Sequence, residues 1–289
     1  MFAGNLLLVK DFKELVKANK LAQGYIFFGD PQIGKFTFAK SMANFLENGE
    51  FEISKRLLSD VMTVDAAARS DSLKSSSREG LSQGGIDSMR ELKAFLQQKP
   101  IISLKKTIII DNAGELTPQA QNAILKISEE PTSKALIILV VNQLDELLPP
   151  LLSRFQKIYF GRASEEDLMK FLADEYKINK QEAKVLAENS YGRIGRAVEL
   201  LNNPLMEQMQ EMAEKFLKSS TAARSKTIKD LVEAQKENPR LLDYFMEFLI
   251  IRLRKDPVKN LNLLKSALNR LFLIKSYNTN KRLQIEAII

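Results

Sequence analysis

Five short runs of apolar, mostly β-branched or aromatic residues mark the first 160 residues, and stretches of helical periodicity separate them. They are Tyr25-Ile26-Phe27-Phe28, Val61-Met62-Thr63-Val64, Thr107-Ile108-Ile109-Ile110, Ala135 to Val141, and Lys157-Ile158-Tyr159-Phe160. A strand that is apolar without alternation is covered on both faces, which is the habit of a parallel sheet between helices. The pattern predicts an α/β domain. Helices are expected over 36–46, over 86–97 with Met89, Leu92 and Leu96 on one face, and from Thr117-Pro118, an N-cap followed by proline. Residues 66–85 hold six serines and three glycines and read as an exposed loop.

After Phe160 the strand signal stops. Ser164-Glu165-Glu166-Asp167 and Asn179-Lys180-Gln181-Glu182 are two capping-type helix starts, and 190–201 reads as a further helix with its entry. Beyond Asn202-Asn203-Pro204, four helical patterns over roughly 205–218, 221–236, 239–254 and 257–277 predict a helical bundle. The expected division is 1–161, 162–203 and 204–289.

The first apolar run ends in Gly29-Asp30-Pro31-Gln32-Ile33-Gly34-Lys35-Phe36-Thr37. In the loop G-x-x-x-x-G-K-[ST], backbone amides cradle phosphates, the lysine reaches the β- and γ-phosphates, and the final hydroxyl holds Mg²⁺. Gly29, Gly34 and Lys35 are in place, but the hydroxyl position is Phe36. Thr37 is a poor substitute, because one residue turns a helix by about 100°. Gln32 stands where many such loops have glycine, so a positive φ there is costly. Tight Mg-nucleotide binding is not expected, and a glycine-rich turn with no ligand is the plain alternative.

The third run ends in Asp111-Asn112. Asp111 fits the carboxylate that assists Mg²⁺ in phosphate-loop enzymes, although a polar strand terminus looks the same. The next position calls for a glutamate to polarise water; Asn112 cannot accept that proton, and Glu115 lies beyond the strand end. Ser153-Arg154 follows Leu147-Leu148-Pro149-Pro150, just before the last strand. Arg154 is a candidate arginine finger, a residue that stabilises charge on a neighbouring subunit's γ-phosphate in trans. In isolation it would be an ordinary surface arginine. Arg196, in Gly195-Arg196-Ala197, could contact phosphate in its own subunit or sit at a helix end with no such role.

Composition narrows the chemistry. The 289 residues contain no cysteine and no histidine, which excludes disulfides, thiolate metal sites and histidine-based triads. No metal site is expected. A net charge of +7 is compatible with a polyanionic partner without establishing one. No cleavable signal and no apolar run of about 18 residues is present, so a cytoplasmic protein with no membrane partner is expected.

Taken in order, these motifs resemble the AAA+ clamp-loader family, in particular its delta-prime type in bacterial DNA polymerase III. Ser59-Asp60-Val61, 86–92, 116–126, Glu129-Glu130-Pro131, Ser153-Arg154 and Gly195-Arg196-Ala197 carry the resemblance, which covers about 1–201. It implies a RecA-like AAA+ parallel-sheet domain, a small helical lid and an all-helical collar. It also implies a hetero-pentamer with motor and delta-like subunits, reaching the sliding clamp and primed DNA through that complex. The subunit would be a non-hydrolysing stator within a DNA polymerase holoenzyme. Arg154 would act in trans, and Gly29, Gly34, Lys35, Thr37, Asp111 and Arg196 would form a degenerate site. No cofactor would be required, and ATP or ADP would bind weakly if at all. Two departures stand out: the four-cysteine zinc module that many members carry is missing, and Phe155 replaces the usual cysteine after the arginine. A self-sufficient AAA+ ATPase, such as a hydrolysing motor subunit, is the alternative. A stand-alone DNA-binding module ranks behind both, since the lysines are spread among glutamates.

Overall fold

The computed structural model describes residues 4–67, 86–129, 134–234, 241–254, 256–277 and 280–287. The expected serine-rich loop, beyond its first two residues, lies outside them. The chain divides into two compact units, Met1–Arg196 and Ala197–Ile289.

The first unit is built on five parallel strands: β1 (Gly24–Phe28), β2 (Val61–Asp65), β3 (Lys106–Asp111), β4 (Ala135–Val140) and β5 (Gln156–Tyr159). Their order in the sheet is β2-β3-β4-β1-β5. Side chains alternate across a strand, so each apolar run feeds two cores. Ile26, Ile108, Ile110, Ile137 and Leu139 face one core, which is closed by α3 (Ile86–Gln97), α4 (Pro118–Glu129) and α5 (Pro149–Arg154). Tyr25, Phe27, Ile109, Leu136 and Ile138 face the other, closed by α1 (Leu6–Lys17) and α2 (Lys35–Asn48). The second core is aromatic: Phe12, Phe27, Phe38 and Phe160 meet ring to ring at 5.0–5.9 Å, mostly edge to face.

The strands fall where the apolar runs predict them, to within a residue or two at each end. The same holds for α4, whose first turn is capped by Thr117 Oγ1 accepting from Ala120 N–H. Ser164 and Asn179 cap α6 (Glu165–Tyr176) and α7 (Lys180–Ser190), accepting from Asp167 N–H and Glu182 N–H. The sequence reading passes over α1. It begins at Asn5 in the left-handed region with no side-chain cap, so its start carries no cap signal, although Leu8, Val9, Phe12, Leu15 and Val16 give it an apolar face on the second core.

Helix α8 (Ile194–Asn202) carries the division between the units. The second unit continues with α9 (Pro204–Lys218), α10 (Thr221–Ala234), α11 (Leu241–Arg254), α12 (Leu261–Ser276) and α13 (Lys281–Glu286). Four of these are the predicted patterns; the six-residue α13 was not foreseen. Ten of the fourteen residues of α11 are buried, on every side of the helix, as expected for the centre of a bundle. Arg252 of α11 pairs with Glu214 of α9, and Tyr244 donates to Glu199.

Candidate functional site

In an open parallel sheet, ligand sites form beyond the carboxyl ends of the strands, where the connections change direction. Here that point lies at the end of β1, between β4 and β5. Residues 29–34 leave β1 there and turn into α2. Gly29 has φ 141° and lies so close to the Phe160 carbonyl that a Cβ would come within 2.4 Å of its oxygen. Gly34, at φ 94°, caps α2. Gln32 takes the positive φ that its side chain makes costly, 63°. Its carbonyl accepts from Gly195 N–H at 2.7 Å, so the loop tip is held by the first turn of α8.

Lys35 is turned back into its own loop. Its Nζ donates to Gly29 O at 2.6 Å, Asp30 O at 2.7 Å and Asn142 Oδ1 at 3.1 Å. An ammonium has three N–H donors, and these three oxygens account for all of them. Burial lowers the Lys35 pKa to about 8, against the opposing pull of Asp111, Glu146 and Asp30. Phe36 is half-buried, and Lys40 Nζ lies 4.6 Å from its ring centre. Thr37 is exposed, with its carbonyl accepting from Ser41 Oγ. The donor set therefore does not fit a Mg²⁺ held in the usual way.

Asp111 closes β3. Burial pushes its pKa up and Asp65 adds to this, while the Asn112 amide, Lys35 and Lys40 pull the other way. Asn112 sits at φ 50°, a conformation that asparagine tolerates better than glutamate. Its Nδ2 donates to Asp65 Oδ1 at 2.9 Å, tying the ends of β2 and β3. The residue at the water-activating position thus has a structural task. Arg196 is buried at 2% exposure beside Gly195, within the first unit. Among the described residues, no group of three or more Asp or Glu side chains is arranged to hold a metal.

Sequence reasoning missed the residues that brace this edge. Asn142 directly follows the apolar run of β4, and that position was the available signal. Glu146 accepts from the amides of Asn142 and Gln143 at 3.2 and 3.1 Å. Gln121, buried in α4, donates to Leu116 O and Glu146 O and accepts from Leu148 N–H at 2.8 Å, latching the start of α5 to α4.

Arg154 lies elsewhere. It ends α5, just before Gln156 pairs with Tyr25 at the start of β1, whereas the loop begins past Phe28 at the other end. At about 3.3 Å per residue, the two points are separated by roughly 13 Å along the strand alone. Its backbone is fixed by buried Leu151 on one side and buried Phe155 on the other. The Phe155 ring fills the space over Gly24, where a Cβ would come within 2.4 Å of it. The guanidinium is about half exposed and pairs with Glu129 Oε1 at 3.2 Å.

A five-stranded parallel sheet of this order, with a phosphate-type loop after β1, defines a RecA-like AAA+ domain. Residues 4–164 match the family described as DNA polymerase III, delta subunit; the chain belongs to it and is a clamp-loader subunit of the DNA polymerase III type. It is 28% identical over 204 residues to the DNA polymerase III subunit gamma/tau of Mycoplasma pneumoniae, covering 65% of this chain and 28% of that one. It is 27% identical over 209 residues to the DNA polymerase III subunit gamma of Buchnera aphidicola, covering 64% and 53%. The chain thus spans between 28% and 53% of the length of these curated relatives. Among solved structures, a DNA polymerase III gamma subunit-related protein from Thermotoga maritima aligns over 96% of both chains, at 21% identity and a TM-score of 0.49.

Proposed function

We propose that this clamp-loader subunit takes the delta-prime part: a stator that does not hydrolyse ATP and offers Arg154 to the ATP of a neighbouring subunit during loading of a sliding clamp on primed DNA. The observation that carries this reading is the placement of Arg154 at the opposite end of the strands from its own loop. An arginine there has no route to its own phosphate site, so any phosphate it meets belongs to another chain. The other half of the support is chemical. Lys35 is committed to three protein oxygens, Phe36 offers none to Mg²⁺, and Asn112 is engaged with Asp65. ATP or ADP would have to break the lysine contacts to bind, so Gly29, Gly34, Lys35, Thr37, Asp111 and Arg196 are read as a vestigial site. The chain is read as an AAA+ domain over 1–161, a lid over 162–203 and a collar over 204–289, joined to motor and delta-like subunits in a hetero-pentamer.

Reconstitution with its partner subunits tests this. Arg154→Ala should leave the complex assembled and lower its ATPase by roughly 10³-fold, the scale of an arginine finger in trans. The second reading, a hydrolysing motor subunit, is favoured by the gamma/tau names of the relatives. It predicts that the isolated chain turns over ATP and that Lys35→Ala abolishes the turnover; such a result would displace the stator reading.

A further inference from the structure

We infer that Glu129 is a positioning residue for Arg154, holding the guanidinium in place before a neighbouring subunit's γ-phosphate arrives. This rests on the reading of Arg154 as the residue that acts in trans. Everything about Arg154 except its side chain is already fixed by the fold. Pro149 and Pro150 open α5, Ser153 Oγ closes back on Pro150 O at 2.8 Å, and Leu151 and Phe155 are buried on either side. Gln121 then latches α5 onto α4, and Glu129 is the last residue of that same α4. The helix that locates the finger's backbone therefore also supplies the carboxylate that meets its head group.

The remaining freedom is the side chain, whose rotamers are many and whose ordering is costly. Glu129 Oε1, 3.2 Å from a terminal guanidinium nitrogen, restricts those rotamers in advance. A carboxylate at the C-terminus of a twelve-residue helix is disfavoured by the helix dipole, and the arginine beside it offsets this. One carboxylate oxygen on one nitrogen does not use up the five N–H donors of a guanidinium, so a phosphate can be added to the pair. The pair is also weak enough to yield: at 46% and 50% exposure it is well solvated and contributes little to stability. Weak pre-ordering of this kind suits a residue that must later shift its allegiance to a dianion.

The test is the ATPase of the assembled complex carrying Glu129→Gln, Glu129→Asp, Arg154→Ala, or Glu129→Gln together with Arg154→Ala. Glu129→Gln should lower kcat by about threefold to fivefold, the range open to an exposed ion pair, with KM for ATP and assembly unchanged. Glu129→Asp should recover most of the loss. In the Arg154→Ala background, Glu129→Gln should have no further effect. If Arg154→Ala is severely impaired while Glu129→Gln matches the wild type, positioning is overturned and the in-trans arginine stands. An equal loss from Glu129→Gln with and without Arg154 would also overturn it, by showing a role that does not pass through the arginine. If Arg154→Ala itself leaves the ATPase intact, the underlying reading and this inference fail together.

Discussion

Asp60 has no exposed surface, yet it is charged, because the fold surrounds its carboxylate with donors. The amides of Ile101, Ile102 and Ser103 donate at 2.7–2.9 Å and Lys106 Nζ lies at 2.8 Å. Burial acts to raise its pKa, but Lys106 and the three amides outweigh it and bring the value to about 2. The same contacts hold the 101–104 loop with Ile101, Ile102 and Leu104 facing outward. Asp60→Asn should cost about 3–5 kcal/mol, because Lys106 is then left buried without a counter-charge. Urea unfolding at neutral pH checks this, with a lower midpoint and an unchanged slope expected. The pH dependence has a definite sign. With a folded pKa of about 2 against an ordinary 3.8, the Asp60 contribution is complete above about pH 4 and is lost as pH falls toward 2. The asparagine variant should therefore show a shallower acid limb. None of this was legible beforehand. Asp60 meets amides 41 to 43 residues downstream, a spacing that no local pattern announces.

At the scale of elements, α5 is set on the sheet by an aromatic ring lying over a glycine. Phe155→Cys, which restores the family's usual residue, should open a cavity over Gly24 and cost about 3 kcal/mol. Gly24→Ala alone should also destabilise, since its methyl meets the ring at 2.4 Å. Together the two should cost less than their sum, and a double-mutant cycle in denaturant measures that coupling. The elements read correctly in advance were those whose signal is local: the continuous runs of β1 to β5 and the caps at Thr117, Ser164 and Asn179. What was missed includes contacts between distant parts of the chain. Helix α1 is held by Asn5, whose side chain pairs with both the N–H and the C=O of Gly161. The strain expected at Gln32 is real, and its compensation comes from Gly195, more than 160 residues later in the chain. Lys35, Asp111 and Arg154 were legible as residue types in a pattern, but the commitment of Lys35 to Asn142 and of Arg154 to Glu129 was not.

On the scale of the molecule, the second unit leaves a face of α12 open. Leu261, Leu268 and Phe272 are 47%, 39% and 60% exposed, and their spacing of seven and four residues puts them on one side of the helix. In the proposed collar this side meets other subunits. Leu268→Glu combined with Phe272→Glu should leave helical content intact by circular dichroism and reduce recovery of partner subunits by at least tenfold in co-purification. Undiminished recovery would remove α12 from that interface. The sheet order has a consequence of a different kind, for synthesis on the ribosome. Strand β1 lies between β4 and β5, so its neighbours begin only at Ala135 and Gln156. At about 5–20 residues per second, Tyr25-Ile26-Phe27-Phe28 waits roughly 6–20 s with no strand to pair with. During that interval the most aromatic segment of the chain is an unprotected edge. A strand that is paired on both sides in the finished sheet is thus, while the chain is being made, a segment in need of a chaperone.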